Sequence, residues 1–394
     1  MAARGAILHR PAYNSPMTPA LDVCVRGAGP VGRTLALLLA AQRLRVGLVA
    51  NAAPNPSTRS DIRAYALNAA SRQLLESLRA WPQAAEHATP VLHMRVFGDA
   101  QGRVNFDAEA QGVPALAWIV DAAALQTQLE QACAYQSLVH MLDAPQSAAL
   151  TVICEGQSSE SREALGIELE SLPYRQSALA TRVALAQPHG QNAWQWFSEG
   201  EVLAFLPIGG AQGNSMAVVW SVNHDRLESL HALDDAGLAQ ALAMSSGQAL
   251  GAMSILGARA AWPLQMGLAW RWCGAMPDGQ GAWVLAGDAA HQVHPLAGQG
   301  LNIGLADAQA LAETLGTRTG SEAWRSPGDL RLLRRYERSR KLALLAPNAV
   351  LDGLQRLFAV QGETLRSMRN AGMLGFNRLR PLKAWVAARA MGSI

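Results

Sequence analysis

Charge is scarce in this 394-residue chain: only 16% of its residues are Asp, Glu, Lys or Arg, and the net charge is +3. So small an excess, spread along the chain, gives no electrostatic footing for a nucleic-acid partner. Half the residues are hydrophobic, which excludes a disordered chain and fits a large core in two joined lobes. Cysteine is also sparse. Cys24, Cys133, Cys154 and Cys273 are scattered and include no Cys-x-x-Cys pair, so neither a disulfide framework nor a zinc site is expected and a reducing cytoplasm fits best. Residues Met1 to Ala20 lack the apolar stretch of a secretion signal and read as a loose tail. No uncharged run approaches the ~18 apolar residues that cross a bilayer, so the expected location is cytoplasmic, with peripheral contact at the inner face of the membrane left open.

Two glycine-bearing motifs lie far apart in the chain. The first, Gly27-Ala28-Gly29-Pro30-Val31-Gly32, follows an apolar strand at Leu21–Val25 and opens an apolar helix from about Pro30 to Arg43. With the strand Val46–Val49 this makes a βαβ unit. Gly27 permits the tight turn, Gly29 clears space for a diphosphate, and Gly32 lets helix and strand pack closely. Amides at the helix start then face the phosphates. An acidic residue is expected at the end of the second strand to bind a ribose; Ala50 and Asn51 stand there instead.

The second motif runs from Gly287-Asp288 through Pro295, Gly298 and Gly300 to Leu301-Asn302, at the end of the apolar strand Trp283–Ala286. Asp288 can accept hydrogen bonds from ribityl hydroxyls, Pro295 fixes a turn, and Gly298 and Gly300 allow close backbone approach before a helix beginning near Leu301. A helix N-terminus aimed at the pyrimidine end of a reduced flavin stabilises its negative charge by about 0.3–2 kcal/mol. Two such sites, remote in sequence, point to one long cofactor with a diphosphate in its middle, and FAD has that shape. His291 and His294 share a tight turn with no carboxylate beyond Asp288, a poor metal set, and no metal is expected.

Between the motifs, apolar residues at helical spacing suggest a helix over Arg63–Leu78, a hairpin at Phe97–Gly102 and a helix from Asp121 to Ala134. Sheet-forming segments dominate from Leu179 to about Leu268, interrupted by a helix at Asp235–Leu250. From Gly300 onward the chain is mostly helical. After Asp352 its Arg and Lys residues interleave with apolar ones, compatible with a membrane-surface helix or with solvated capping helices.

The chain resembles the ubiquinone-biosynthesis hydroxylase family of class A FAD-dependent aromatic monooxygenases, from Leu21 to about Lys341. Besides the two glycine motifs, the resemblance is carried by Asp61-Ile62-Arg63-Ala64-Tyr65-Ala66-Leu67-Asn68, Trp118-Ile119-Val120-Asp121 with Leu125-Gln126, and Pro188-His189 through Ala193 to Phe197. Leu206-Pro207, Trp262-Pro263-Leu264 and Tyr336-Glu337-Arg338-Ser339-Arg340 complete it. It implies an α/β fold: a Rossmann-like FAD-binding domain of the glutathione-reductase type, para-hydroxybenzoate-hydroxylase-like, with an interleaved mixed β-sheet substrate domain and a helical C-terminus. The expected division is a tail at 1–20, FAD-binding parts at 21–175 (with a β-rich insertion about 90–120) and 272–345, a substrate domain at 176–271, and C-terminal helices at 346–394. Implied FAD contacts are Gly27, Gly29, Gly32, Arg63, Gln126, Gly287, Asp288, Pro295, Gly298, Gly300, Leu301 and Asn302. The family's aromatic-substrate wall falls on Trp194, Trp196, Phe197 and Phe205, with Pro207, and plain core is the alternative reading of that aromatic stripe.

The implied activity is hydroxylation of an aromatic ring, a polyprenyl phenol intermediate of ubiquinone synthesis, by O2 through a flavin C4a-hydroperoxide, with NAD(P)H as electron donor. A lipid-tailed substrate implies peripheral membrane contact or a ubiquinone-biosynthesis complex. No general base is identified, and catalytic residues stay unassigned. The family's middle motif reads Ala-Asp-Gly, whereas here it is Cys154-Glu155-Gly156. Together with Ala50 and Asn51, that departure keeps open a non-catalytic FAD-fold scaffold subunit, and the shared fold keeps open a hydroxylase of a small soluble aromatic.

Overall fold

A computed structural model describes residues 21–50, 61–98, 102–198, 200–292, 299–318 and 324–359, without side chains at 171–175 and 345–359. The expected tail at 1–20, Asn51, the hairpin tip at 99–101, His294, Pro295, Gly298 and the stretch 360–394 lie outside the described residues.

The chain opens with β1 (Leu21–Arg26), α1 (Pro30–Ala41) and β2 (Val46–Val49), then β3 (Ala64–Leu67), α2 (Ala69–Ser77), β4 (Ala88–Val91), β5 (His93–Phe97) and β6 (Arg103–Asp107). It continues through α3 (Ala108–Gln111), β7 (Ala117–Asp121), α4 (Ala122–Ala134), β8 (Val139–Leu142), β9 (Ala148–Ile153), α5 (Glu160–Ala164) and the long β10 (Leu169–Leu185). There follow β11 (Asn192–Ser198), β12 (Glu201–Ile208), β13 (Ser215–Asn223), α6 (His224–His231), α7 (Asp235–Ser245), β14 (Met253–Ile255) and β15 (Ala260–Ala269). Last come β16 (Cys273–Ala275), β17 (Ala282–Leu285), β18 (His291–Gln292), α8 (Gly300–Gly316) and α9 (Leu330–Ala359). None of the described helices is long and apolar enough to cross a membrane.

Three sheets result. The first has the order β16-β17-β9-β1-β2-β8, parallel except for the edge strand β16. Its central strands are apolar along their length because both faces are covered: Val23, Cys24, Val25, Leu48, Leu150, Val152 and Val284 are all fully buried. The carboxyl ends of β1, β9 and β17 lie side by side, which brings residues near positions 27, 154 and 287 together from remote parts of the chain.

The second sheet runs β18-β15-β10-β13-β12-β11-β5-β6, with β14 also pairing β10. One face carries Leu179, Phe205 and Trp220, which pack on Leu230 of α6 and on Leu238 and Leu242 of α7. The other face turns toward the first sheet. A small sheet, β3-β7-β4, lies between them, and Arg182 of β10 ties to it by donating to Asp121 (2.6 Å) and to the Ile62 carbonyl (3.1 Å).

The structure departs from the sequence reading in three places. Residues 64–67 are a strand, not the start of a helix, because they pair antiparallel with Trp118–Asp121; the helix begins only after Asn68, whose side chain accepts the Ser71 N–H. The segment around 90–120 is not an insertion confined to the first lobe: β5 and β6 extend the second sheet through β11. Finally, α9 continues unbroken across position 345.

Candidate active site

The loop after β1 is shaped by contact with the end of β9. Gly27 has φ +107°, and a Cβ there would stand 2.3 Å from the Cys154 carbonyl oxygen. At Gly32 a Cβ would meet the Gly27 carbonyl oxygen at 1.9 Å, so α1 can sit this close to its strand only without a side chain. Gly29 differs. Its backbone is extended, and a Cβ would meet nothing within 4 Å, because the space beside it is cavity. Gly29 is the N-cap of α1 and makes no side-chain cap, and the first turn has no acid, leaving an electropositive helix end.

Two residues beside this loop, Arg33 and Glu130, escaped the sequence reading, whereas Gln126 was expected there. Arg33 is buried and donates through Nε to the Ala28 carbonyl (2.7 Å) and through Nη2 to Glu130 (3.0 Å). Gln126 donates to the same two acceptors, at 3.2 and 2.9 Å. Arg33, Gln126 and Glu130 therefore hold the Ala28 peptide, and Arg33 adds a buried positive charge to the cavity wall. The available hint was a charged residue inside an otherwise apolar helix.

At the second motif, β17 ends in a tight turn at Gly287 (φ +65°), against Val31 of α1. Asp288 lines the cavity; burial pushes its carboxyl above the ordinary range, against the pull of His291 and Arg63. Behind it lies Asp307 of α8, fully buried, which the sequence reading also missed. Its carboxylate accepts the Gly287 N–H (2.9 Å), His291 Nε2 (2.5 Å) and Arg340 Nε (2.6 Å). Burial alone would raise its pKa, but His291 and Arg340 outweigh it and hold the carboxyl below the usual value.

The remaining expected residues divide. Gly27, Gly29, Arg63, Gln126, Gly287, Asp288, Gly300, Leu301 and Asn302 line one cavity, while Gly32 stands behind it as packing. Arg63 forms a two-point ion pair with Asp61 (2.9 and 2.7 Å) that secures its positive charge. Asn302 is not free for a ligand through its side chain: its Oδ1 accepts the Asn68 N–H (2.9 Å) and its Nδ2 donates to the Ala66 carbonyl (2.8 Å). It clamps the start of α8 to the β3–α2 junction. Glu155 lines the cavity but is also engaged, accepting from Ser159 Oγ (2.8 Å), from the N–H (3.0 Å) and hydroxyl of Ser161, and pairing with Arg26 at 3.2 Å. Burial would raise its pKa; those hydrogen bonds and Arg26 lower it. The extra methylene relative to aspartate is thus absorbed by α5.

The cavity measures about 1100 Å³. Drug-sized pockets span roughly 300–1,000 Å³, so this one has room for a long cofactor and part of a second molecule. Beyond the glycine turns its floor is the inner face of the second sheet, formed by small residues: Ala180, Ala193, Ala204, Ala217, Val219 and Ser221. The expected substrate wall, Trp196, Phe205 and Pro207, is not there. Strand side chains alternate, so on β12 Val202, Ala204 and Leu206 face the cavity while Leu203 and Phe205 face α6 and α7. Trp196 stacks on Phe97 and meets Phe205 edge-on at 5.8 Å on that outer side, and Pro207 is buried out of phase with the cavity-lining positions. The aromatic stripe is core, and its one-residue neighbours line the cavity.

Comparison with known proteins agrees with this geometry. A family model described as FAD binding domain matches residues 20–147 and 143–346. The chain is 30% identical over 397 residues to the 3-demethoxyubiquinol 3-hydroxylase of Escherichia coli (strain K12), covering 94% of this chain and 98% of that one. It is 29% identical to a ubiquinone hydroxylase of Rhodospirillum rubrum over 95% of this chain and 90% of that protein. Among solved structures, a p-nitrophenol 4-monooxygenase from Pseudomonas putida shares the fold with a TM-score of 0.70 at 17% identity, covering 94% of this chain and 98% of its own. A probable FAD-dependent monooxygenase from Pseudomonas aeruginosa does so at 0.68 and 23%, over 90% and 100%.

Proposed function

Because the chain belongs to the ubiquinone-biosynthesis hydroxylase family of FAD-dependent aromatic monooxygenases, we propose that it hydroxylates the ring of a polyprenyl phenol on the route to ubiquinone, with NAD(P)H as electron donor. The observation that carries this reading is the single cavity in which both glycine turns face a floor of small, apolar side chains.

FAD, when bound, supplies the O2 activation that amino-acid side chains lack. The protein's share is binding, orientation and exclusion of water. In our assignment, the Gly27–Gly29 turn and the first turn of α1 receive the diphosphate, with Arg33 and Arg63 adding positive charge. Asp288 accepts from the ribityl hydroxyls, and the backbone amides from Gly300 to Asn302 serve the flavin ring. Pro295 and Gly298 belong to the same proposal on sequence grounds. The substrate ring and its prenyl tail lie along Ala180, Ala204 and Ala217. The cavity's volume and apolar floor favour a long hydrocarbon substituent over a small soluble aromatic.

A prenyl tail also favours contact with a membrane surface. Trp270 is 71% exposed and its carbonyl accepts from Lys341, which also pairs with Glu337; on α9 the 68%-exposed Leu342 follows the exposed Arg338 by one turn. Exposed apolar side chains with basic neighbours suit an anionic bilayer at the inner face.

The test is direct. Purified protein given FAD, NADPH, 18O2 and a prenylated phenol should return product with one 18O atom per added hydroxyl. Protein that takes up no FAD, or takes it up and forms only H2O2 with every phenol tried, overturns the proposal in favour of a scaffold.

A further inference from the structure

Gln292 occupies the short edge strand β18, four residues after Asp288, where it pairs with Gly267 of β15. Its side chain is 97% buried and lines the cavity, yet its Oε1 has no hydrogen-bond partner among the described residues. Several other polar side chains that line the cavity are committed to protein partners. Thr181 Oγ1 donates to the Ala258 carbonyl, Asn302 is spent on Asn68 and Ala66, Gln126 on Ala28 and Glu130, and Arg63 on Asp61. Native structures seldom leave a buried acceptor unmet, so one that faces a cavity calls for a donor there, a bound ligand or an ordered water.

The position is also held firmly. The preceding residue, His291, is anchored through Nε2 to Asp307, and backbone pairing to β15 fixes the strand. β18 is the edge strand of the second sheet; its partner strand β15 carries the cavity-lining Trp262 five residues before Gly267, and Gln292 lines the same cavity.

We propose that Gln292 Oε1 accepts a hydrogen bond from the ring hydroxyl of the phenolic substrate and thereby sets which edge of the ring is presented for hydroxylation. An amide is too weak a base to take the proton, so Gln292 reads the O–H and leaves it in place. This makes it a specificity residue for the reaction, and the assignment rests on the phenol hydroxylase reading above. A flavin N–H is the other donor of suitable chemistry, and the test separates the two.

The experiment uses FAD-loaded full-length protein, 2-(3-methylbut-2-enyl)phenol and its methyl ether, which lacks the donor. Binding of each is followed by the change in flavin absorbance, for wild type, Q292L and Q292M. Wild type should bind the phenol about tenfold more tightly than the ether, the size expected for one hydrogen bond to a buried acceptor. Q292L and Q292M should bind phenol and ether alike, with FAD affinity and flavin spectrum unchanged. A merely structural role would weaken both ligands together and leave their ratio intact. If either folded variant keeps the wild-type preference for phenol, or loses FAD affinity instead, the assignment is overturned. If wild type responds to no phenol at all, the proposed function falls, and this inference with it.

Discussion

Asp307 of α8 accepts the backbone N–H of Gly287 at 2.9 Å, reaching from the second turn of the helix back to the strand end that precedes it by twenty residues. The same carboxylate holds His291 and Arg340, so one buried anion fixes the turn carrying Asp288, the strand carrying Gln292, and the packing of α9. Asp307→Asn removes the charge, leaving Arg340 without its counter-ion and His291 without its carboxylate partner. Breaking a buried pair of this kind costs about 3–5 kcal/mol. Urea denaturation of the FAD-free protein should show a loss of that size. FAD affinity should fall as well, because the Gly287–Asp288 turn loses its anchor.

Acid sensitivity follows from the same carboxylate and from Glu155. Both are held below their unfolded values, so on acidification the unfolded chain binds protons first. Their stabilising contribution is complete above the unfolded carboxylate range, about 3.9–4.3, and is lost as pH falls through the lower folded values. Thermal melts between roughly pH 6 and pH 3 should therefore show stability dropping on the acid side. Glu155→Gln and Asp307→Asn should start lower and fall less steeply, because each already lacks one titrating group. A parallel fall in variant and wild type would remove that carboxyl from the account.

The glycines of the first turn separate packing from ligand contact. Gly27→Ala drives a Cβ to 2.3 Å from the Cys154 carbonyl oxygen in a left-handed conformation, and the variant should accumulate poorly. Gly29→Ala has neither problem: its φ is −75° and no atom lies within 4 Å of the added carbon. The FAD-free variant should melt within about a degree or two of wild type, because the change touches no packed atom. FAD affinity should nevertheless fall about tenfold or more, since the methyl enters the space assigned to the diphosphate. Fluorescence titration with FAD measures it.

The motifs at Gly27 and Gly287 were legible because a tight turn between an apolar strand and an apolar helix needs glycine whatever surrounds it. Their meeting in space was legible too, because parallel strands in a buried sheet carry their loops to one edge. What sequence concealed was long-range pairing. Residues 64–67 fit a helical spacing, yet β7 claims them as a strand. Asn302 carries the motif's expected polar side chain but turns it to Asn68 and Ala66. Asp307 and Arg340 lie 33 positions apart, and nothing local marks either as one half of a buried pair.

The cavity-facing side of the second sheet lies a single position from the aromatics the sequence drew attention to, and that offset makes a sharp prediction. A strand residue and its neighbour face opposite sides, so the conspicuous aromatics of β11 and β12 drew attention to the face packed on α6 and α7. Ala204 and Phe205 are adjacent and should behave as opposites. Phe205 is fully buried against Trp196 and the outer core, and Phe205→Ala should cost about 3–5 kcal/mol of stability while leaving the affinity of the folded protein for a prenylated phenol nearly unchanged. Ala204 pairs with Gln195 and Val219 in the middle of the cavity floor. Ala204→Phe projects a ring into the cavity, not into a packed core, so the melting temperature and FAD content should hold while phenol binding is abolished. Denaturation curves and flavin-absorbance titrations on the two variants check both halves. The opposite pattern, with Phe205→Ala losing phenol and Ala204→Phe keeping it, would return the pocket to the aromatic face.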